Sequence, residues 1–367
     1  MDKRSFLKNM SILGAAASVP SLFAGCFNEQ PGNEQPGEDA DVLLKNWIWT
    51  GVDQESTDEA LISRFEQLVS AGITGILIGG DDERMFTLAK QSGLSPHIWM
   101  WTLNRRDSFI MENHPEWYAV NRLGESCFDK PQYVDYYRWL CPSKPEVQDY
   151  IRSVVETHLS RNYIEGIHLD YVRYCDVILP RALWEKYDIV QNEELPPYDY
   201  CYCETCRNKF GELHGRDPLE IDNPPEDLDW VQFRYDSVTS LVNDLAETVH
   251  EANRPISAAV FPTPSIARKL VRQSWDDWNL DMVFPMLYHG FYNESLSWVG
   301  NSVLEGKQAV GDKMELFSGL YMPDLGTASD LEEAVKLALD NGAAGISLFG
   351  DVSPAHWKSF ETVITNR

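Results

Sequence analysis

Beyond Lys45 the chain alternates between short apolar runs and stretches whose apolar residues recur every three or four positions. The runs are 46–52, 75–80, 97–103, 166–174, 256–261, 282–289, 316–322 and 344–349. Each has the length of one strand, and near-continuous apolar runs suit strands buried on both faces. Between them Ala60, Phe65, Leu68 and Val69 lie at helical spacing, as do Val147, Ile151, Val154, Val155 and Leu159. Val238, Leu241, Val242, Leu245 and Val249 repeat the pattern, and so do Leu331, Ala334, Val335 and Leu339. Gly72, Pro255 and Gly342 stand where such helices stop. Eight strand–helix units predict an α/β chain with a parallel sheet, and eight close a (β/α)8 TIM barrel. The rival is a doubly wound open sheet. It needs a glycine-rich phosphate loop after its first strand, and Trp49-Thr50-Gly51-Val52-Asp53 is not one.

Two strand-to-helix connections are long, 104–142 after the third strand and about 175–225 after the fourth. These are the β3-α3 and β4-α4 loops of the predicted barrel, which occupies 43–367. In such barrels the site lies at the C-terminal mouth and is built by these connections.

The first 26 residues form a separate unit. Lys3, Arg4 and Lys8 precede a short apolar run, the charged and hydrophobic regions of a secretory signal. Leu22-Phe23-Ala24-Gly25-Cys26 resembles a bacterial lipobox, in which Cys26 is lipidated. Residues 27–42, with Asn28-Glu29-Gln30-Pro31-Gly32 repeated at 33–37, have nothing to bury and read as a flexible acidic linker. The expectation is an exported lipoprotein, held at an outer membrane or cell surface by its lipid alone.

Charge narrows the partners. Lys and Arg number 31 against 57 Asp and Glu, a net charge of −26. That argues against nucleic acid, whose phosphates need a basic face, and against an anionic membrane surface as partner of the folded body.

The most informative stretch is Gly166-Ile167-His168-Leu169-Asp170-Tyr171-Val172-Arg173-Tyr174. Alternation along a strand puts Ile167 and Leu169 under the helices and His168 and Asp170 inside the barrel, with Asp170 nearer the mouth. An inward carboxylate among aromatics requires a partner, for which Arg173 is the nearest candidate. This motif resembles the glycoside hydrolase-like family 10 proteins. Supporting matches are His114-Pro115-Glu116-Trp117, Trp139-Leu140-Cys141-Pro142, Lys144-Pro145-Glu146-Val147, Trp230-Val231-Gln232-Phe233-Arg234, Phe284-Pro285-Met286-Leu287-Tyr288 and Gly345-Ile346-Ser347-Leu348-Phe349. The family commonly has Asn where Cys141 stands.

The resemblance implies a glycoside hydrolase acting on an extracellular or cell-wall polysaccharide, with no catalytic cofactor. Related α-galactosidase-like and amylase-like barrels place a nucleophilic Asp at the end of the fourth strand, which maps to Asp170. Glycoside cleavage needs a second carboxyl group as acid or base. Asp351, past the eighth strand, and Glu294, beyond the sixth, are the first candidates. Asp81, Asp82, Glu83 and Asp324 also follow strand ends. Trp49, Trp101, His168, Tyr171, Arg173, Tyr288, His289 and Tyr321 fall near strand ends and are candidate saccharide contacts. The run 133–139 could wall a cleft, and Arg105, Arg106 and Arg234 could bind hydroxyls. A non-catalytic surface glycan-binding lipoprotein on the same scaffold is the alternative. A lyase built on an Arg and Tyr pair is a third reading.

Cys201-Tyr202-Cys203-Glu204-Thr205-Cys206 gathers three thiols in six residues, a spacing suited to tetrahedral zinc. It looks like the zinc cluster of family 42 β-galactosidases. Cys175, in the same connection, is the first choice for fourth ligand, with Cys141 or Cys127 behind it. Export favours disulfides instead, for example between Cys127 and Cys141.

Overall fold

The computed structural model describes residues 44–367; the expected export signal, Cys26, the expected linker at 27–42 and residue 43 lie outside the described residues. Eight parallel strands close into a barrel in sequence order. They are β1 (Trp47–Gly51), β2 (Gly75–Gly79), β3 (Ser95–Trp101), β4 (Gly166–Asp170), β5 (Ile256–Val260), β6 (Met282–Pro285), β7 (Glu315–Tyr321) and β8 (Gly345–Phe349). The described helices are α1 (Asp58–Ser70), α2 (Glu83–Gln91), α3 (Ser108–Asn113), α4 (Pro145–Leu159), α5 (Glu204–His214), α6 (Leu228–Glu251), α7 (Pro264–Val271), α8 (His289–Tyr292), α9 (Ser297–Val310), α10 (Ala328–Asp340) and α11 (Pro354–Thr365). Among the described residues no helix is long and apolar enough to cross a membrane.

Closure rests on β1 pairing with both β2 and β8, Trp47 standing opposite Gly75 and Ser347. The buried Asn46 side chain fastens this seam. Its Nδ2 donates to the Gly72 carbonyl at 3.0 Å, and its Oδ1 accepts from the Ile346 N–H at 2.9 Å.

Strand alternation makes two cores. Ile48, Ile76, Ile98, Ile167, Leu169, Val283, Leu316 and Ile346 face outward and pack with the helices, among them Phe65, Val155, Leu245 and Val335. Trp47, Trp49, Leu77, Trp99, Ala259, Met282, Phe284 and Phe317 fill the interior. Large interior rings require small neighbours. A Cβ on Gly75 would stand 2.3 Å from the Trp47 ring, and one on Gly166 would stand 2.4 Å from the His97 ring. The glycines that open β2 and β4 thus make room for the lowest interior layer.

Burial pushes the His97 pKa down to about 4, and burial does the same to His158 on α4, against the opposing pull of Asp81. Both folded values lie below the unfolded one near 6.5. Above that pH neither state is protonated and the rings add no pH dependence. As pH falls through the window from 6.5 to 4, the unfolded chain takes up protons that the folded chain refuses, and stability drops. The loss is roughly 3 kcal/mol per ring once the lower limit is passed. Urea unfolding should therefore show a lower midpoint at pH 4.5 than at pH 7. The drop should shrink in His158→Gln; an unchanged pH dependence in that variant would acquit His158.

Two strands end four residues before their apolar runs do. β4 stops at Asp170 because Tyr171 takes a left-handed backbone, φ 50°. β6 stops at Pro285, and His289 opens α8.

Candidate active site

Asp170 is the last residue of β4, paired in register with Trp101 of β3. Its two oxygens are held separately. The Trp99 indole N–H donates to Oδ2 at 3.0 Å, and the Tyr171 backbone N–H donates to Oδ1 at 2.6 Å. That second bond is local: the left-handed turn at Tyr171 accompanies an amide folded back onto the preceding carboxylate. An aromatic residue in this region carries strain of order 1 kcal/mol or more, and such strain concentrates at functional sites.

Asp170 lines a cavity at the barrel mouth. Its floor and sides are Trp49, Trp99, Trp101, Tyr137, Tyr171, Ala259, Phe261, Met286, Tyr288, Phe291, Tyr292 and Phe349. Leu179, Pro180 and Leu183 also line it, and Arg173 and Asp176 supply the remaining charge. The cavity volume is about 110 Å³. Ligand sites typically start near ~300 Å³, so a saccharide chain must extend out of this partly open cavity or displace part of its lining. A larger cleft of about 570 Å³ lies between residues 115–129 and the start of α5. No strand end lines it, so the smaller cavity is the better candidate for chemistry.

Arg173 does not pair with Asp170. Its Nη1 donates to Asp176 Oδ2 at 3.0 Å and to the Tyr174 carbonyl at 2.8 Å, both within the buried start of the long connection. The guanidinium lies 4.7 Å from the Trp139 ring centre and 4.8 Å from that of Phe261. Burial opposes its charge, yet Asp176 and the phenols of Tyr137 and Tyr171 hold its pKa above the usual value. Asp176 is the one cavity-lining carboxylate besides Asp170 among the described residues. It escaped the sequence reading. The cue was an opposite charge three residues past Arg173, in a loop without periodicity.

Tyrosines crowd this end of the cavity. Burial raises the phenols of Tyr137, Tyr171 and Tyr288 far above their ordinary value, and pushes Tyr136 up to about 12. All four stay neutral hydrogen-bonding groups across physiological pH.

A family model described as glycosyl hydrolase-like 10 matches residues 79–334. The chain belongs to the glycosyl hydrolase-like 10 family. The matched span runs from the last residue of β2 into α10 and includes Asp170, Arg173 and Asp176. No curated protein matches the chain. Among solved structures, the PgaB (BpsB) glycoside hydrolase domain from Bordetella bronchiseptica superposes with TM-score 0.63 at 11% identity, covering 88% of this chain and 96% of that one. The β-amylase catalytic domain from Paenibacillus polymyxa gives 0.60 at 12% identity, over 89% and 99%. A β-galactosidase from the psychrophilic Marinomonas ef1 gives 0.58 at 12%, over 88% of this chain but 59% of that enzyme. At these identities the likeness establishes the barrel.

Several residues nominated from sequence stand elsewhere in this glycosyl hydrolase-like 10 barrel. Asp351 and Glu294 are exposed and neither lines the cavity. His168 is fully buried one layer below Asp170 and is no part of the lining. The Trp49 indole N–H donates to its Nε2 at 3.2 Å, so Nδ1 carries the proton and donates to Ser257 Oγ at 2.8 Å. Burial holds this imidazole well below its usual pKa, a neutral core group. Tyr321 and His289 are not in the lining, and Tyr321 packs on the lining residues Tyr288 at 5.1 Å and Phe349 at 5.8 Å. Trp49, Trp101, Tyr171, Arg173 and Tyr288 do line the cavity.

Glu83 is exposed at the start of α2, and the other three acidic candidates have assigned partners. Asp82 caps α2 through the Met85 N–H at 2.9 Å, and Asp81 accepts from the Tyr163 hydroxyl at 2.6 Å. Asp324, just past β7, accepts from the Gly290 N–H at 3.1 Å. Burial raises its pKa, with His289 and that N–H pulling the other way. Arg105 pairs with Asp107, and Arg234 with buried Asp199, so both serve structure.

The thiol cluster forms with a different fourth member. Cys141, Cys201, Cys203 and Cys206 converge, and Cys175 is not among them. Cys175 lies earlier in the same connection, where burial and the adjacent Asp176 carboxylate raise its pKa far above the usual thiol range. Cys127 is engaged with the Trp139 backbone, donating to its carbonyl and accepting from its N–H, each at 3.2 Å.

Proposed function

We propose that this barrel is a glycosidase that cleaves an extracellular or cell-wall polysaccharide, with Asp170 as nucleophile or as the anion facing an oxocarbenium-like transition state. The observation that carries this is Asp170 itself: a carboxylate at the end of β4, open to an aromatic cavity, both oxygens fixed by N–H donors. Fixed orientation is what a nucleophile needs, because the attacking oxygen must meet the anomeric carbon without reorganising. Trp49, Trp101 and Tyr288 offer flat faces for the apolar side of a pyranose.

The acid must be a carboxyl group that keeps its proton near neutral pH. Asp176 is unsuited, since its Oδ2 is already held by Arg173 Nη1 at 3.0 Å. Asp324 fits better. Burial raises its pKa, and like Asp170 it acts electrostatically on the Tyr288 phenol. If Asp324 is the acid, the alkaline limb of rate against pH reports its proton. Asp324→Asn should then lose that limb and at least 100-fold in kcat. An Asn variant with normal rate and an intact alkaline limb would remove Asp324 from the mechanism.

The reading is tested by offering a panel of polysaccharides to wild type and Asp170→Asn and measuring new reducing ends. Release by wild type alone supports it; release by both overturns it. A second reading, a surface glycan-binding protein without turnover, is favoured by one observation: Asp170's only companion carboxylate among the described lining is committed to Arg173. It predicts retention of a glycan by both proteins with no release by either.

A further inference from the structure

The two long connections that wall the cavity meet at four buried sulfurs. Cys141 closes the connection after β3. Cys201, Cys203 and Cys206 come from the connection after β4, with Cys203 at the N-terminus of α5. All four ligand atoms lie within 4.8 Å of one another. Cys141 Sγ is 3.4 Å from Cys206 Sγ and 3.7 Å from Cys203 Sγ. Four sulfurs held at about 2.3 Å from one tetrahedral zinc stand about 3.8 Å apart, so these thiols are already near ligand spacing around a single point. A disulfide would draw a pair together to about 2.0 Å, far inside the separations of 3.4 and 3.7 Å seen here.

The surroundings suit bound thiolates. The Val120 N–H points at Cys201 Sγ at 3.4 Å. Lys144, three residues past Cys141, donates to Thr205 beside Cys206 at 3.3 Å, which brings a cation to the cluster. Lys209 donates to the Ser143 carbonyl at 2.7 Å, fastening α5 to the same corner.

We propose that Cys141, Cys201, Cys203 and Cys206 bind one Zn²⁺, and that this ion is the clasp between the two connections that form the cavity wall. The site is structural: four thiolates fill every position of a tetrahedral ion and leave none for substrate. Its reach toward the cavity is short. Cys141 follows Trp139 and Leu140, and the Trp139 ring lies under the Arg173 guanidinium that holds Asp176. Isolated bridges pair Tyr118 with Leu140 and Asn121 with Tyr200, so the clasp and these ladders fix one corner together.

The test measures metal on the full chain, purified without chelator or metal-affinity resin. Wild type and Cys175→Ser should each carry one zinc per chain, while Cys206→Ser should lose tenfold or more. Cobalt exchanged into the wild-type chain should give sulfur-to-cobalt charge-transfer absorption and the strong visible bands of a tetrahedral ion, a readout that needs no variant to fold. Displacing zinc with an organomercurial should open residues 105–140 and 175–200 to proteolysis. Three results would each overturn the proposal: metal-free wild type lighter by two or four hydrogens, iron instead of zinc, or zinc lost from Cys175→Ser as fully as from Cys206→Ser. Metal content is read independently of catalysis, so a protein without glycosidase activity that still holds one zinc leaves this site standing.

Discussion

Asp170→Asn should lower turnover at least 1,000-fold on any polysaccharide that the wild-type protein opens, with little change in stability. Asn keeps the shape and one carbonyl oxygen. That oxygen can still accept either the Tyr171 N–H or the Trp99 indole, but the amide nitrogen cannot accept the other donor. One such bond is worth about 1 kcal/mol in stability, so the melting temperature should move by a few degrees at most. The chemical loss is larger because the anion is gone. A carboxamide neither adds to the anomeric carbon nor neutralises a developing cation, and 1,000-fold corresponds to about 4 kcal/mol of transition-state stabilisation. The pattern across kcat and KM separates roles. If Asp170 works in the transition state, kcat falls and KM stays; if it only binds hydroxyls, KM rises while kcat stays within a few fold. Reducing-end assays over a substrate series decide between them, and the second pattern would end the nucleophile assignment.

The barrel was legible because every strand is buried on both faces, so apolar runs alone marked all eight. Their ends were not. Tyr171 adopts φ 50° with no Gly or Asn to announce it, and the run that includes Tyr171–Tyr174 continues in composition after the strand has stopped. Alternation also told which face a residue occupies but not its depth. His168 and Asp170 share a face, yet His168 stands opposite Trp99 and Ser257, a full layer below the mouth. Depth is set by register with neighbouring strands, which a single sequence does not contain. Trp99 was within reach, since it alternates with His97 and Trp101, and it supplies the donor to Asp170. The first choice of a fourth cysteine for the cluster missed for a similar reason. Cys175 is near the cluster along the chain, whereas Cys141 is near it in space, carried there by a separate connection.

Breaking the Arg173–Asp176 pair should be the most destabilising single change at the site. Arg173→Met leaves the Asp176 carboxylate buried without its cation, and removing one partner of a buried pair typically costs about 3–5 kcal/mol. Asp176→Asn strands the guanidinium in the same way, although its contacts with Trp139 and Phe261 soften that loss. The double variant Arg173→Met/Asp176→Asn should recover most of the stability, because two neutral groups have no charge left unpaired. Urea unfolding of the four proteins gives the coupling energy. The same set separates structure from recognition. If the pair only shapes the wall, the double variant regains glycan affinity along with stability. If Arg173 or Asp176 touches the saccharide, stability returns and affinity does not. Additive destabilisation, with no recovery in the double variant, would mean that the two charges are solvated rather than paired. The cavity would then be wetter at this end than its lining indicates.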